Sequence, residues 1–352
     1  MASKIIPLIL PVESESPDPE VIRQAAACLV RGGLVAFPTE TVYGLGGNAF
    51  DPSAIRRIFL AKGRPPTDPL IVHLADVDDT PLVAAALPPI AAKLAAAFWP
   101  GPLTLLLPRK QTLPDEVTAG LETVAVRVPA HPVALALLRE AGIPVAAPSA
   151  NRFAHASPTL AQHVVDDLGG AVDMVLDAGP TVWGVESTVL DPLHAPPLIL
   201  RPGGITRAEI EAVIGPVRYA LPGERINASP GRQARHYAPN ARLILCGGET
   251  PAEIAKSAAG LASSLLKDGR CGLLAVDEVC ALMDAQAIPL AVQNLGSMRD
   301  LRTVARRLFA GLRELESQGA VSILTHRMPA EGLGEALNDR LLRASHESAS
   351  GV

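Results

Sequence analysis

The sequence predicts an α/β protein, a mixed sheet with helices packed on it, followed by a smaller unit on a short parallel sheet. Three observations carry that reading. Apolar strand-like runs alternate with capped amphipathic helices through the first half of the chain, a Pro- and Gly-rich break falls at 217–240, and a second alternation follows it. The 352 residues suit two domains at about 150 residues each. Expected boundaries are a first domain over 1–216, a linker over 217–240 and a second domain over 241–346.

Taken in order, Asp18-Pro19 supplies an N-cap with proline at N1, apolar positions follow at Val21, Ile22, Ala25, Ala26 and Leu29, and Gly32-Gly33 ends the helix. Leu34–Phe37 is a short strand running into Pro38. Asp51-Pro52 caps a second helix with a stripe of Ile55, Ile58 and Phe59, closed by Gly63. Leu70–Leu74 reads as a strand with Ile71 and His73 on one face. A helix over 89–98 precedes the strand Leu103–Leu107. Thr123–Val128 alternates, placing Thr123, Ala125 and Arg127 together. A helix over 133–140 leads to the strand Ile143–Ala147, and Ser157-Pro158 is expected to cap a helix ending near Gly169. Strands near 173–177, 186–191 and 198–201 and a helix from Thr206 complete this part. Beyond the break, 242–246, 272–276 and 320–325 read as strands separated by helices near 251–267 and 297–317, which suits a parallel sheet with crossovers.

The composition is 48% hydrophobic and 19% charged, enough to bury a sizeable core and contrary to global disorder. No run approaches about 18 uninterrupted apolar residues, which argues against a membrane-spanning helix. The run Ile5–Leu10 contains Pro7 and no cleavage pattern, so a cytoplasmic protein is expected. A net charge of −5 argues against tight nucleic-acid binding by bulk electrostatics, while a local basic pocket stays open. Cys28, Cys246, Cys271 and Cys280 have no metal-type spacing and read as buried free thiols. There is no GxxxxGK[ST], no GxGxxG between strand and helix, and no GxSxG, which disfavours P-loop, dinucleotide-binding and nucleophile-elbow enzymes.

What remains are polar residues at strand ends, flanked by Pro and Gly. They are Pro38-Thr39-Glu40-Thr41, Lys62-Gly63-Arg64-Pro65, Pro148-Ser149-Ala150-Asn151, Gly184-Val185-Glu186-Ser187-Thr188 and Arg201-Pro202-Gly203-Gly204. Singly, each suits a turn or a helix end. Together they fall where open α/β sheets gather ligands. Arg127, among Val and Ala, needs an anion from protein or ligand if it faces inward. Several cations with small hydroxyl donors suit a nucleotide polyphosphate.

All but the last of these motifs, the first continued through Val42-Tyr43-Gly44-Leu45, occur together with Trp99-Pro100-Gly101-Pro102-Leu103-Thr104 in the order typical of the YrdC/Sua5 proteins, the threonylcarbamoyl-AMP synthases, which this chain resembles over residues 18–215. Ser229-Pro230-Gly231 through His236-Tyr237-Ala238-Pro239, with an α/β domain after it, resembles the two-domain Sua5 form. The resemblance implies a YrdC-like twisted open mixed sheet with flanking helices around a positively charged cavity, plus a smaller Rossmann-like α/β C-terminal domain. It implies a nucleotidyltransferase that makes L-threonylcarbamoyladenylate and pyrophosphate from L-threonine, bicarbonate and ATP, for N6-threonylcarbamoylation of adenosine 37 in tRNA. The implied partners are these substrates and a downstream threonylcarbamoyltransferase complex, with no membrane. Direct tRNA binding stays open.

The family's Lys-x-Arg and Ser-x-Asn tetrad falls on Lys62, Arg64, Ser149 and Asn151, which would hold the triphosphate and spread developing charge. Thr123, Ser157, Arg201 and Tyr237 match its nucleotide side. Thr39, His73, Arg127 and Ser187 match its threonine site, with Arg127 suited to fork the carboxylate. Mg²⁺ is expected with ATP on the phosphates. No metal ligand is assigned, and Glu186 is a candidate only. Two departures stand out. Arg152–Ala156 replaces the usual Ser-Gly pair, and Gln233-Ala234 replaces Lys-Tyr. Two rival readings are a non-catalytic RNA-binding module, which three Tyr and two Trp furnish poorly, and a carbamoyltransferase, which would need zinc-finger cysteine pairs.

Overall fold

The computed structural model describes residues 7–221, 223–224 and 237–345. The motif at 229–231, the pair at 233–234 and His236 lie outside the described residues. The chain forms two compact units, one of residues 1–153 and 157–232, the other of residues 154–156 and 233–352.

In the first unit the order is β1 (Leu8–Pro11), α1 (Pro19–Val30), β2 (Val35–Pro38), β3 (Tyr43–Asn48), α2 (Pro52–Lys62), β4 (Ile71–His73), α3 (Pro89–Phe98), β5 (Leu103–Pro108), α4 (Asp115–Thr118) and β6 (Thr123–Arg127). It continues with α5 (Pro132–Ala141), β7 (Val145–Ala146), α6 (Ala161–Leu168), β8 (Met174–Asp177), β9 (Thr188–Asp191), β10 (Leu198–Arg201), α7 (Arg207–Ile214) and β11 (Arg218–Tyr219). The described strands make one mixed sheet in the order β1-β8-β2-β3-β7-β4-β6-β5-β9-β10-β11. Asp18 and Asp51 cap α1 and α2 through their carboxylates, each with proline at the first position, and Thr206 with Glu209 forms a capping box on α7.

Four features differ from the sequence reading. Tyr43–Asn48, given no element in the sequence reading, is a strand antiparallel to β2. Strand β7 shrinks to two residues because Pro144 and Pro148 flank it and offer no N–H to a ladder. Ser157 does not cap α6, which begins at Ala161 after Leu160 with no side-chain cap, because the Ser157 hydroxyl is turned to Glu186 instead. Strand β11 lies inside the segment read as linker and pairs in parallel with β10.

Register divides the sheet cleanly. Val72, Leu105, Val126 and Leu190 point to one face, into a core closed by Ile55 and Ile58 of α2, Leu94 of α3, Val164 of α6 and Ile210 of α7. On the opposite face, Val35, Phe37 and Val145 pack under α1 and α5, while Ile71, Leu106, Ala125 and Val189 form a second cluster. Between these two clusters the same face carries polar side chains. His73 pairs in register with Arg127, and Thr104 stands in register with Val189, two residues beyond Ser187.

The second unit runs β12 (Arg242–Cys246), α8 (Pro251–Leu265), β13 (Cys271–Ala275), α9 (Asp277–Asp284), β14 (Ala291–Asn294), α10 (Leu301–Ser317), β15 (Ser322–His326) and α11 (Leu333–Ala344). Its sheet is wholly parallel in the order β12-β15-β13-β14. Helices α8 and α9 pack together, as do α10 and α11. The sequence reading found three of these strands and two helices and missed β14, α9 and α11. All four cysteines are buried and free. Ala154 sits at φ 66°, in the left-handed region, where the resemblance leads one to expect the Ser-Gly pair.

Candidate active site

The polar band is built around Arg127 at the end of β6, 3% exposed. Its Nη2 lies 2.6 Å from Glu40 Oε1, its Nη1 donates to Thr41 Oγ1 at 3.0 Å, and its Nε donates to the Gly101 carbonyl at 3.1 Å. The anion that a buried arginine requires is therefore a protein carboxylate. Glu40 and Thr41 belong to the turn joining β2 to β3. Thr39 organises that turn: its hydroxyl donates to the Val42 carbonyl at 2.6 Å and accepts from the Thr41 and Val42 amides. His73, beside Arg127, is pushed down to about 3 by burial and by the Arg127 charge, so its ring is neutral near pH 7. Phe37 meets it edge to face at 6.2 Å.

Ser187 closes this side. Its hydroxyl pairs with Thr104 Oγ1 at 2.8 Å, and Arg201 Nη2 donates to both its hydroxyl (3.1 Å) and its carbonyl (2.9 Å). The Arg201-Pro202-Gly203-Gly204 turn approaches so closely that a Cβ on Gly203 would lie 2.3 Å from backbone atoms of Ser187 and Thr188. Only glycine fits there.

The tetrad residues lie together at the ends of α2 and β7. Gly63, at φ 62°, ends α2 in the left-handed conformation, turning the chain between Lys62 and Arg64. Lys62 Nζ donates to the main-chain carbonyls of Ser149 (2.6 Å) and Asn151. Ser149 is half-buried and bridges to Gly44, while the Asn151 side chain donates to the Arg152 carbonyl at 2.7 Å. Arg64 is fixed by the carbonyls of Asp68 and Pro69 and pairs with the Asp68 carboxylate at 3.0 Å. Burial, then the neighbouring Arg64 charge, pushes the Lys62 ammonium well below its usual range. Burial pushes Asp68 up against the pull of Arg64, Lys62 and Arg201. Lys62 and Arg64 lie close together and buried, with Asp167 and Asp68 as the carboxylates acting on Lys62, and an incoming anion would favour the charged form of Lys62. Ser157 donates to the Glu186 carboxylate, whose main-chain carbonyl accepts from Gly204 N–H at 3.2 Å.

Thr123 begins β6, four residues from Arg127, so about 13 Å away along the strand. Tyr237 belongs to the second unit, buried there with its ring stacked on Phe309 at 5.8 Å and the Arg340 guanidinium 4.8 Å from its centroid. The sequence reading passed over Glu40, Thr41, Thr104 and Asp68 as site residues. The signal for Glu40 was present, since it lies in a quoted motif and Arg127 demanded an anion.

Fold and site together define a class: an α/β protein with an open mixed sheet whose strand and helix ends carry buried basic side chains and hydroxyls. Residues 27–203 match the family model of the Sua5, YciO and YrdC proteins, described as telomere recombination, and residues 205–346 match the one described as threonylcarbamoyl-AMP synthase, C-terminal domain. The chain is 45% identical to threonylcarbamoyl-AMP synthase of Bacillus subtilis (strain 168), covering 95% of each, and 42% identical to that of Pyrococcus abyssi, covering 92% of this chain and 94% of the relative. The crystal structure of P. abyssi Sua5 complexed with L-threonine superposes with a TM-score of 0.88 at 41% identity, covering 96% of this chain and 97% of that one. The chain belongs to the two-domain Sua5 branch of the threonylcarbamoyl-AMP synthase family.

Proposed function

We propose that this chain is an L-threonylcarbamoyladenylate synthase, a nucleotidyltransferase that forms threonylcarbamoyl-AMP and pyrophosphate from L-threonine, bicarbonate and ATP, its product serving tRNA threonylcarbamoylation. The observation that carries this reading is the convergence of Lys62, Arg64, Ser149 and Asn151 beside one another, with a neighbouring set of Arg127, His73, Thr39 and Ser187 suited to an amino acid. The first set suits a polyphosphate because the Arg64 guanidinium offers a phosphate fork and an incoming phosphate would favour the charged form of Lys62. The second offers a guanidinium, a neutral imidazole and hydroxyls, the groups that recognise a carboxylate beside a small alcohol.

Threonine carbamate would attack the α-phosphorus with pyrophosphate leaving. Lys62 and Arg64 stabilise the charge gathering on the phosphoryl oxygens, and positioning supplies most of the rate. Among the described residues no three His, Cys, Asp or Glu side chains cluster as metal ligands. Mg²⁺ carried on the phosphates would keep waters and need few protein ligands, and Glu186 is the candidate carboxylate to hold it. When bound there the ion supplies charge neutralisation. No helix of the described residues is long and apolar enough to cross a membrane. Pyrophosphate release that requires both threonine and bicarbonate is the direct test. Lys62→Ala and Arg64→Ala are each expected to lower it by at least ~100-fold with an unchanged circular dichroism spectrum. Turnover retained in both variants would overturn the phosphate assignment.

A further inference from the structure

We propose that Glu40 accepts the proton of the substrate ammonium and so delivers the free amine that becomes carbamoylated. The inference rests on the synthase reading and assigns a role that reading leaves open. An ammonium has no lone pair, so joining an α-amino acid to bicarbonate requires a base at its nitrogen.

Glu40 is 6% exposed, and its backbone is fixed by the Thr39 turn and by the Trp183 N–H, which donates to its carbonyl at 2.9 Å. Its Oε1 faces Arg127, while its Oε2, sealed from solvent, accepts no hydrogen bond from any described residue. A buried carboxylate oxygen without a donor is costly, and the donor that relieves it is one that arrives with a ligand. The geometry points to the ammonium. In an α-amino acid the charged nitrogen and the carboxylate share one carbon, so a carboxylate forked on the Arg127 guanidinium brings the nitrogen to the carboxylate already bound there. The neighbouring candidates are poor bases. Burial pushes His73 down to about 3 and also lowers His131, whose Nδ1 accepts from the Val133 amide. Glu186 is engaged by Ser157, and Glu15 acts electrostatically on His131.

The step balances as follows. An N–H bond of the ammonium breaks with its electron pair left on nitrogen, and an O–H bond forms at Oε2. The nitrogen pair forms the C–N bond to bicarbonate, whose hydroxyl departs as water with a second amine proton. Glu40 sheds its proton to solvent as products leave.

The test compares wild type with Glu40→Gln, which keeps an acceptor for Arg127 but cannot take a proton. Wild-type pyrophosphate release dependent on threonine and bicarbonate is required first. Its absence would defeat the synthase reading, and this inference with it. Given that activity, kcat of Glu40→Gln at pH 7 is expected to fall at least ~100-fold, threonine affinity by calorimetry to stay within about threefold, and the residual rate to climb about tenfold per pH unit from 7 to 9 as hydroxide replaces the lost base. The reverse reaction, threonylcarbamoyl-AMP plus pyrophosphate to ATP and threonine carbamate, involves no proton transfer at nitrogen, and its ATP formation is expected to stay within about threefold of wild type. Unchanged forward kcat, an unchanged pH profile, or equal loss in both directions would overturn the proposal.

Discussion

Arg127 stands on a strand of valines and alanines, so its charge has to be met wherever the side chain points. That requirement is legible in the alternation of residues 123–128. The identity of the partner is not, because Glu40 is remote in sequence and reaches Arg127 only once β2, β3 and β6 share a sheet. Removing one member of such a pair strands the other. Arg127→Ala is therefore expected to cost about 3–5 kcal/mol of stability, and adding Glu40→Gln to it should recover most of that loss by removing the stranded charge. Arg127→Lys separates recognition from stability. It retains the cation but not the planar fork, and its threonine affinity by calorimetry should fall at least ~10-fold while ATP binding is kept. Undiminished threonine binding in Arg127→Lys would reassign the carboxylate to another group.

Among the elements, Gly203 shows most directly how the backbone shapes the site. The turn after β10 presses on the start of β9, and the space for a methyl group is already filled by main-chain atoms at 2.3 Å. Gly203→Ala must push β9 and β10 apart at Ser187, which predicts a stability loss of about 1–3 kcal/mol in urea titration together with weakened threonine binding. Wild-type stability in that variant would show that the turn yields freely. Elements announced by capping chemistry were legible in the sequence, as Asp18-Pro19, Asp51-Pro52 and Thr206 with Glu209 show. Two elements lacking it were missed: α11 starts after Gly332 with no side-chain cap, and β14 is a half-exposed edge strand with Gln293 and Asn294 in it. Ser157 misled because Ser-Pro has the form of a cap, whereas a buried Glu186 carboxylate competes for the hydroxyl more strongly. The tetrad entered through the family resemblance, carried by two short local motifs that the α2 end and the β7 end bring together. Asp68 and Thr104, which complete the polar packing, carry no local signature of that kind.

For the molecule as a whole, burial of ionisable groups predicts how the fold responds to acid. His73 is neutral and buried in the folded state, pushed down to about 3, and titrates near 6.5 when unfolded. Between those values the unfolded chain binds the extra proton, so stability rises with pH across the window. The His73 contribution is fully present above pH 6.5 and is lost as pH falls toward 3. His131 acts in the same direction. The lowered carboxylates of the first unit, Asp51, Glu211 and Glu224, withdraw stability only below about 4.5, so the interval from 6.5 to 4.5 isolates the histidines from them. Both tryptophans, Trp99 and Trp183, belong to the first unit, so their fluorescence follows its unfolding without reporting the second. The urea midpoint read this way is expected to fall steadily from pH 7 to 4.5 in wild type. In His73→Asn the fall should be much smaller, since a side chain that takes up no proton in either state removes that linkage. Lys62 and Asp68 titrate alike in both proteins and cancel in the comparison. Parallel declines in the two proteins would mean that His73 takes up its proton as readily in the folded protein as in the unfolded chain, and that burial beside Arg127 does not hold its ring neutral.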